Sequence, residues 1–171
     1  MCGITGILPA DAKLEHNIKH DILAMTESLR HRGPNNLSYY TDKNIALGHT
    51  RLSVLDLSSI ATQPKKSFSG RFIISFNGEI YNHLELRNEI EREYGFKNWE
   101  SKSDTLTLVN MFEFWDAEKV LNKIKGMFAF ALWDKKLKKL VLARDRFGEK
   151  PLYFGWIEKD FVFGSELKAI K

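Results

Sequence analysis

Cysteine is the scarcest functional residue of this 171-residue chain: there is one, Cys2. A lone cysteine closes no intrachain disulfide, which suits a reducing compartment such as the cytoplasm. No apolar run approaches the ~20 residues of a membrane-spanning helix. No basic segment followed by an apolar one opens the chain, so neither a span nor a signal peptide is expected. A nucleic-acid footprint is missing too. The formal net charge is only +4. The lysines gather at Lys135, Lys136, Lys138 and Lys139, between two apolar segments, where a solvated hairpin turn accounts for them. No stacking aromatics or known nucleic-acid module accompany them. Metal-ligand patterns are poor: His16 and His20 are four apart on an expected helix, with no Glu beside His16 and no evident third ligand. The turn Arg146-Phe-Gly-Glu-Lys150 lacks the spacing of a phosphate loop. There are no repeats, low-complexity segments or internal linkers, and the length suits one domain with a full core.

What the chain has is a cysteine in a special place, within Met-Cys-Gly-Ile-Thr-Gly-Ile. Removal of Met1 puts a thiol and a free α-amine on the same residue. The thiolate is the attacking species. An α-amine, with an ordinary pKa of roughly 7.7–8, takes up and returns a proton near neutral pH. A nucleophile activated by its own terminal amine is a workable amide-cleaving arrangement. The competing reading is a thiol that serves as a small buried apolar group. A thiol paired with His49 in the papain manner lacks that family's local sequence around Cys2.

The apolar pattern predicts a buried strand over 3–8 and a helix carrying Leu14, Ile18, Ile22, Met25 and Leu29 that ends before Gly33-Pro34. A strand over 45–54 runs into a loop. Another spans 71–76, with Asn77-Gly78 as turn chemistry at its end. Asn82 is expected to cap a second helix, with Glu85 as its capping-box partner and Leu86, Ile90 and Tyr94 as its apolar face. A third helix is expected from Ser103 or Asp104 to Trp115. Residues 127–133 are continuously apolar, as in a strand buried on both faces. Strands over 140–143, 152–157 and 161–163 follow. This order fits two packed sheets with helices outside, an α+β architecture.

An amidase also needs donors for a developing oxyanion. Asn77-Gly78 offers a side-chain amide and a backbone N–H, although taken alone the pair reads first as a plain hairpin turn. A free amino-acid substrate presents a carboxylate, which Arg51 can clamp. It also presents an ammonium, for which Glu79 and Asp104 are acceptors. Each of these is also readable as a surface charge, and Asp104 as a helix cap.

Eight segments, in order, then match one family: Met1-Cys-Gly-Ile-Thr-Gly-Ile7, Arg30-His-Arg-Gly-Pro34, Gly48-His-Thr-Arg-Leu-Ser53, Phe76-Asn-Gly-Glu-Ile-Tyr-Asn82, Ser103-Asp-Thr105, Gly126-Met-Phe-Ala-Phe-Ala-Leu-Trp-Asp134, Arg144-Asp-Arg-Phe-Gly148 and Lys150-Pro-Leu-Tyr153. The chain resembles the glutaminase domain of class II, N-terminal nucleophile, glutamine amidotransferases. It is most similar to the N-terminal domain of glutamine-hydrolysing asparagine synthetases. The resemblance covers the whole chain, 1–171, and implies a four-layer αββα sandwich of the N-terminal nucleophile hydrolase type. It implies that Cys2 hydrolyses the side-chain amide of glutamine through a thioester, with Asn77 and Gly78 as the oxyanion hole. Arg51 would hold the substrate carboxylate, and Glu79 and Asp104 its amino group. Leu52, Ser53, Val54 and Leu55 would line the pocket, and the loop at Arg30 to Pro34 would lie near the nucleophile. The domain itself would need no cofactor or metal. ATP and Mg would belong to a C-terminal synthetase domain, absent from these residues, that receives the ammonia. Asn35 and Leu106 stand where the family usually has Asp and often Glu. The other readings are a non-catalytic or regulatory binding domain that retains Met1, and ammonia supply to an acceptor other than aspartate.

Overall fold

The computed structural model describes residues 1–11, 15–52 and 62–170. Nine strands form two antiparallel sheets. In the first, the order is β2 (Asn36–Asp42), β3 (Ile45–Arg51), β1 (Gly3–Leu8), β9 (Asp160–Gly164) and β8 (Tyr153–Ile157). In the second it is β4 (Lys65–Lys66), β5 (Phe72–Ile80), β6 (Gly126–Asp134) and β7 (Lys139–Arg144). Helix α1 (Glu15–Glu27) lies on β1, β2 and β3. Helices α2 (His83–Tyr94), α3 (Asp104–Met111) and α4 (Ala117–Lys123) belong to the other side, with α3 on β4 and β5 and α2 on α3. The layers therefore run helix, sheet, sheet, helix.

The period of two along each strand divides the core. From β6, Phe128, Phe130 and Leu132 join Phe72, Ile74 and Phe76 of β5 under the α2–α3 layer, beside Leu86, Ile90 and Leu108. The alternate residues Ala131 and Trp133 meet Ile73, Ile45, Leu47 and Phe163 between the sheets. Ile7, Ala46 and Val162 turn outward onto Ile18 and Ile22 of α1. Both faces of β6 are thus covered, as its unbroken apolar run predicts. The approach of α1 is close at one point: a Cβ on Gly48 would lie 2.0 Å from Oγ1 of Thr26. Polar bonds also cross between the sheets. Ser75 Oγ donates to the Gly48 carbonyl at 2.9 Å, His49 Nε2 to the Phe76 carbonyl at 3.2 Å, and Trp133 Nε1 to Asp42 Oδ2 at 3.2 Å.

The first sheet is the wider one. Its outer strand, β8, leaves Phe154, Trp156 and Ile157 exposed, although the rings of Phe154 and Trp156 lean on Phe161 at 5.9 and 5.2 Å. The lysine-bearing turn between β6 and β7 is solvated, as expected.

Several local expectations are corrected. Asn77-Gly78 is no turn: β5 continues through it to Ile80, with Asn77 opposite Ala129 and Gly78 opposite Phe128. Glycine is needed there for a close approach, since a Cβ on Gly78 would lie 2.2 Å from the Met127 carbonyl oxygen. Asn82 precedes α2 without capping it. Its amide instead donates to Lys123 O at 2.9 Å and accepts from Lys125 N at 2.9 Å, fastening the α4–β6 link. Tyr94 of the expected α2 face is exposed, whereas Arg87 is buried. Helix α3 ends at Met111 rather than Trp115, in turns that bring Trp115 back against Tyr94. Leu29 is buried beyond the end of α1, just before a short 3-10 turn at Arg30–Arg32. Leu14 lies outside the described residues.

Candidate active site

Cys2 stands immediately before β1, half-buried. Gly3 pairs with Thr50 and Ile4 with His49. Carried one residue further, this antiparallel register sets Cys2 opposite Arg51. The Arg30–Pro34 segment closes over the same place. Thr50 Oγ1 donates to the Leu29 carbonyl at 3.2 Å, Asn35 N donates to Arg51 O at 3.1 Å, and Pro34 forms a β-bridge with Arg51. Arg32 Nε donates to the Cys2 carbonyl at 3.1 Å. Its Nη1 donates to Glu166 at 2.9 Å. Glu166 also accepts from His31 at 2.9 Å and lies 3.4 Å from the Lys168 ammonium. Burial alone would raise the Glu166 carboxyl. The hydrogen bonds from Arg32 and His31 outweigh it and hold the group down at about 2. The strand end with the thiol is thus anchored through its carbonyl to a partly buried arginine. Ser165 adds a second anchor: its Oγ accepts from Ile4 N at 3.0 Å and its N donates to Ile4 O at 2.8 Å.

Asn77 approaches from the other sheet. Ser75 is bonded to Gly48 and Phe76 to His49, so β3 and β5 advance in the same direction across the interface. The residues that follow on both strands, Thr50-Arg51 and Asn77-Gly78, lie at the end where Cys2 enters. Asn77 shares its face with Ser75 and is 3 % exposed, and its Nδ2 is a buried donor with no partner. Such a group costs roughly 1–3 kcal/mol of desolvation, a cost natural interiors seldom carry without a use. His49, one strand position from Thr50, is fully buried. Burial lowers its imidazole to about 4, so it is neutral. Its Nε2 carries the proton donated to Phe76 O, and Nδ1 is a bare acceptor.

Asp104 lies at the C-terminal end of β5, where Glu79 precedes Ile80. Asp104 Oδ2 accepts from Ile80 N at 3.0 Å and Oδ1 from Thr105 N at 2.7 Å. Oδ1 also takes the Thr105 hydroxyl at 3.5 Å, which leaves a lone pair on Oδ2 for an ammonium. Ser103, not Asp104, is the cap of α3, through its Oγ on Leu106 N at 3.2 Å. The α3 start is steadied by Arg87, which donates to Thr107 Oγ1 at 2.6 Å and to Ser103 O at 2.8 Å. Glu79 is exposed and Arg51 partly buried. Leu52 is exposed, while Ser53, Val54 and Leu55 lie outside the described residues.

The arrangement brings one thiol, an unpartnered amide donor, an arginine and two carboxylates to one end of the sheet–sheet interface. Sequence reasoning missed Arg32, Glu166 and Arg87 as supports. Glu166 contacts Arg32 across 134 residues of chain, and no local pattern announces such a pair. Among the described residues, no helix is long and apolar enough to cross a membrane.

Comparison with known proteins follows the same lines. The glutamine amidotransferase domain family matches residues 1–171. Asparagine synthetase [glutamine-hydrolyzing] 2 of Bacillus subtilis (strain 168) is 34% identical over 99% of this chain and 22% of its own length. Asparagine synthetase [glutamine-hydrolyzing] 3 of the same organism is 37% identical over 99% of this chain and 27% of its own length. The chain therefore spans about a quarter of these relatives. The glutamine phosphoribosylpyrophosphate amidotransferase from B. subtilis superposes with a TM-score of 0.79 at 21% identity, over 99% of this chain and 43% of that one, a likeness of fold. Matched from end to end, the chain belongs to the glutamine amidotransferase domain family.

Proposed function

We propose that this chain is a glutaminase that supplies ammonia to a synthetase module. The carrying observation is the unpartnered, buried Nδ2 of Asn77 at the end of the interface where Cys2 enters. With Met1 removed, the Cys2 thiol gives its proton to its own α-amine, and the sulfur attacks the amide carbon of glutamine. Asn77 Nδ2 and the Gly78 N–H take the developing oxyanion. The C–N bond breaks, the α-amine returns its proton to the leaving nitrogen, and ammonia departs. Water then cleaves the thioester, releasing glutamate and restoring the thiol. Arg51 holds the substrate carboxylate, Glu79 and Asp104 its ammonium, and Leu52 lines the pocket. The half-reaction uses no cofactor.

The residues 1–171 make one glutaminase domain of a cytoplasmic enzyme. The ammonia acceptor is bound by a separate module, as the asparagine synthetase names and greater lengths of the relatives suggest. Aspartate is the first acceptor to test, and another carboxylate or a sugar the alternative. Intact mass before and after a diazoketone analogue of glutamine tests the reading. Loss of Met1 and one adduct on Cys2 are expected, and Cys2→Ala abolishes both the adduct and glutamine hydrolysis. A glutaminase rate that survives Cys2→Ala overturns the mechanism. A retained methionine and an unlabelled thiol support instead a binding domain of the same fold.

A further inference from the structure

Lys150 is 8 % exposed, and its Nζ lies 3.7 Å from the sulfur of Met1. A lysine this buried has been drawn into the protein at a cost and usually serves a partner. Its backbone is fixed from two directions. Lys150 N donates to Asp145 Oδ2 at 3.1 Å, and its carbonyl accepts from Arg144 Nε at 2.7 Å. Asp145 in turn accepts from the amides of Phe147, Glu149 and Phe128. Phe128 is the register partner of Gly78, and Ala129, paired with Arg144, is the partner of Asn77. The loop that holds Lys150 is therefore riveted to the strand row bearing the oxyanion donors, while its ammonium reaches the residue that precedes the nucleophile.

We infer that Lys150 is a positioning residue for the nucleophile: once Met1 is removed, its ammonium faces the new N-terminus and sets the pH at which Cys2 becomes reactive. This rests on the glutaminase reading of Cys2. The thiol and the α-amine of Cys2 must together lose one proton before attack. A neighbouring cation favours that loss. The other charged groups around Cys2 are accounted for as follows. Arg32 touches the Cys2 carbonyl but is paired with Glu166, which also holds His31 and Lys168. Arg51 stands opposite in the register, Glu79 and Asp104 lie at the end of β5, and His49 is neutral. Asp145 spends its oxygens on four backbone amides. Of these cations, Lys150 is the one whose charged end reaches Met1 itself.

The test uses the chain released with Cys2 at its N-terminus by cleavage of an N-terminal fusion. Cys2 is the only cysteine, so alkylation by iodoacetamide followed by intact mass reports it alone. Lys150→Met and Lys150→Gln remove the charge, and Lys150→Arg keeps it. The half-maximal pH of alkylation is expected to rise by about one unit in the neutral variants and to stay within a few tenths in the arginine variant. Thermal melts identify the neutral variant that is folded for the comparison. Profiles of wild type and a folded neutral variant that superimpose overturn the inference, as does an arginine variant that shifts as far as the neutral ones. Labelling with the diazoketone separates the two ideas. A Lys150-dependent alkylation profile in a chain that never takes the glutamine analogue upholds the inference about Lys150 and overturns the glutaminase reading.

Discussion

Asn77 and His49 show how two buried polar side chains at one interface serve different ends. Asn77 keeps an unsatisfied donor at the end of the interface where Cys2 enters, so Asn77→Ala relieves the interior while removing the proposed oxyanion contact. Steady-state glutamine hydrolysis by that variant is expected to lose on the order of a hundredfold or more in kcat, with folding stability unchanged or improved. His49 acts on stability. Its folded value, about 4, is below the ordinary 6.5. Its contribution is therefore complete above pH 6.5 and is lost as the pH falls toward 4, because the unfolded chain takes up the proton first. Between pH 7 and pH 5, urea unfolding of the wild type is expected to lose about 2 kcal/mol from this group. His49→Gln keeps a donor for the Phe76 carbonyl and should lose much less over the same range. Equal losses in both proteins would remove His49 as the source. The carboxylates Glu166, Asp134 and Asp145, all held low, contribute at more acid pH.

Elements were legible where a single periodicity governed them. The unbroken apolar stretch of β6, the buried run of β1 and the helical spacing of Ile18 and Ile22 each carry their own burial pattern. The strand β2 was not anticipated, because its residues are only partly buried and show no strong apolar alternation. The α4 segment was missed although Asp116, its cap, accepts from Lys119 N at 2.8 Å. The Asn77-Gly78 pair misled because its local preference is for a turn, whereas pairing along the whole of β6 keeps it extended. At the proposed site, Cys2, Arg51, Asn77 and Asp104 are named by their motifs, but Glu166 and Lys150, which pack around the strand end carrying Cys2, come from the other end of the chain. The contact of α1 with β3 offers a test at this scale. Gly48→Ala would press a methyl onto Thr26 and should destabilise by roughly 1–3 kcal/mol in chemical denaturation. Combined with Thr26→Ala, the loss should be smaller than the sum of the two single changes. Strict additivity would mean that the strand yields rather than the helix.

In the molecule as a whole, the two sheets have unequal widths, and this decides which surfaces are closed. The narrower sheet is covered by helices on one side and by its partner on the other. Among the described residues, the wider sheet is covered by α1 only over β1, β2 and β3, and β8 lies beyond them as its edge strand. This edge strand carries large apolar side chains that stand exposed, Phe154, Trp156 and Ile157. The four tryptophans make this feature optically addressable. Trp133 is sealed between the sheets, Trp115 is buried and Trp99 is packed on Phe96, while Trp156 on β8 is 68 % exposed. Long-wavelength emission and quenching by iodide should therefore come almost entirely from Trp156, and Trp156→Phe should abolish that component while leaving the blue emission in place. The chain thus carries its own fluorescent reporter of the β8 surface, readable without any added label.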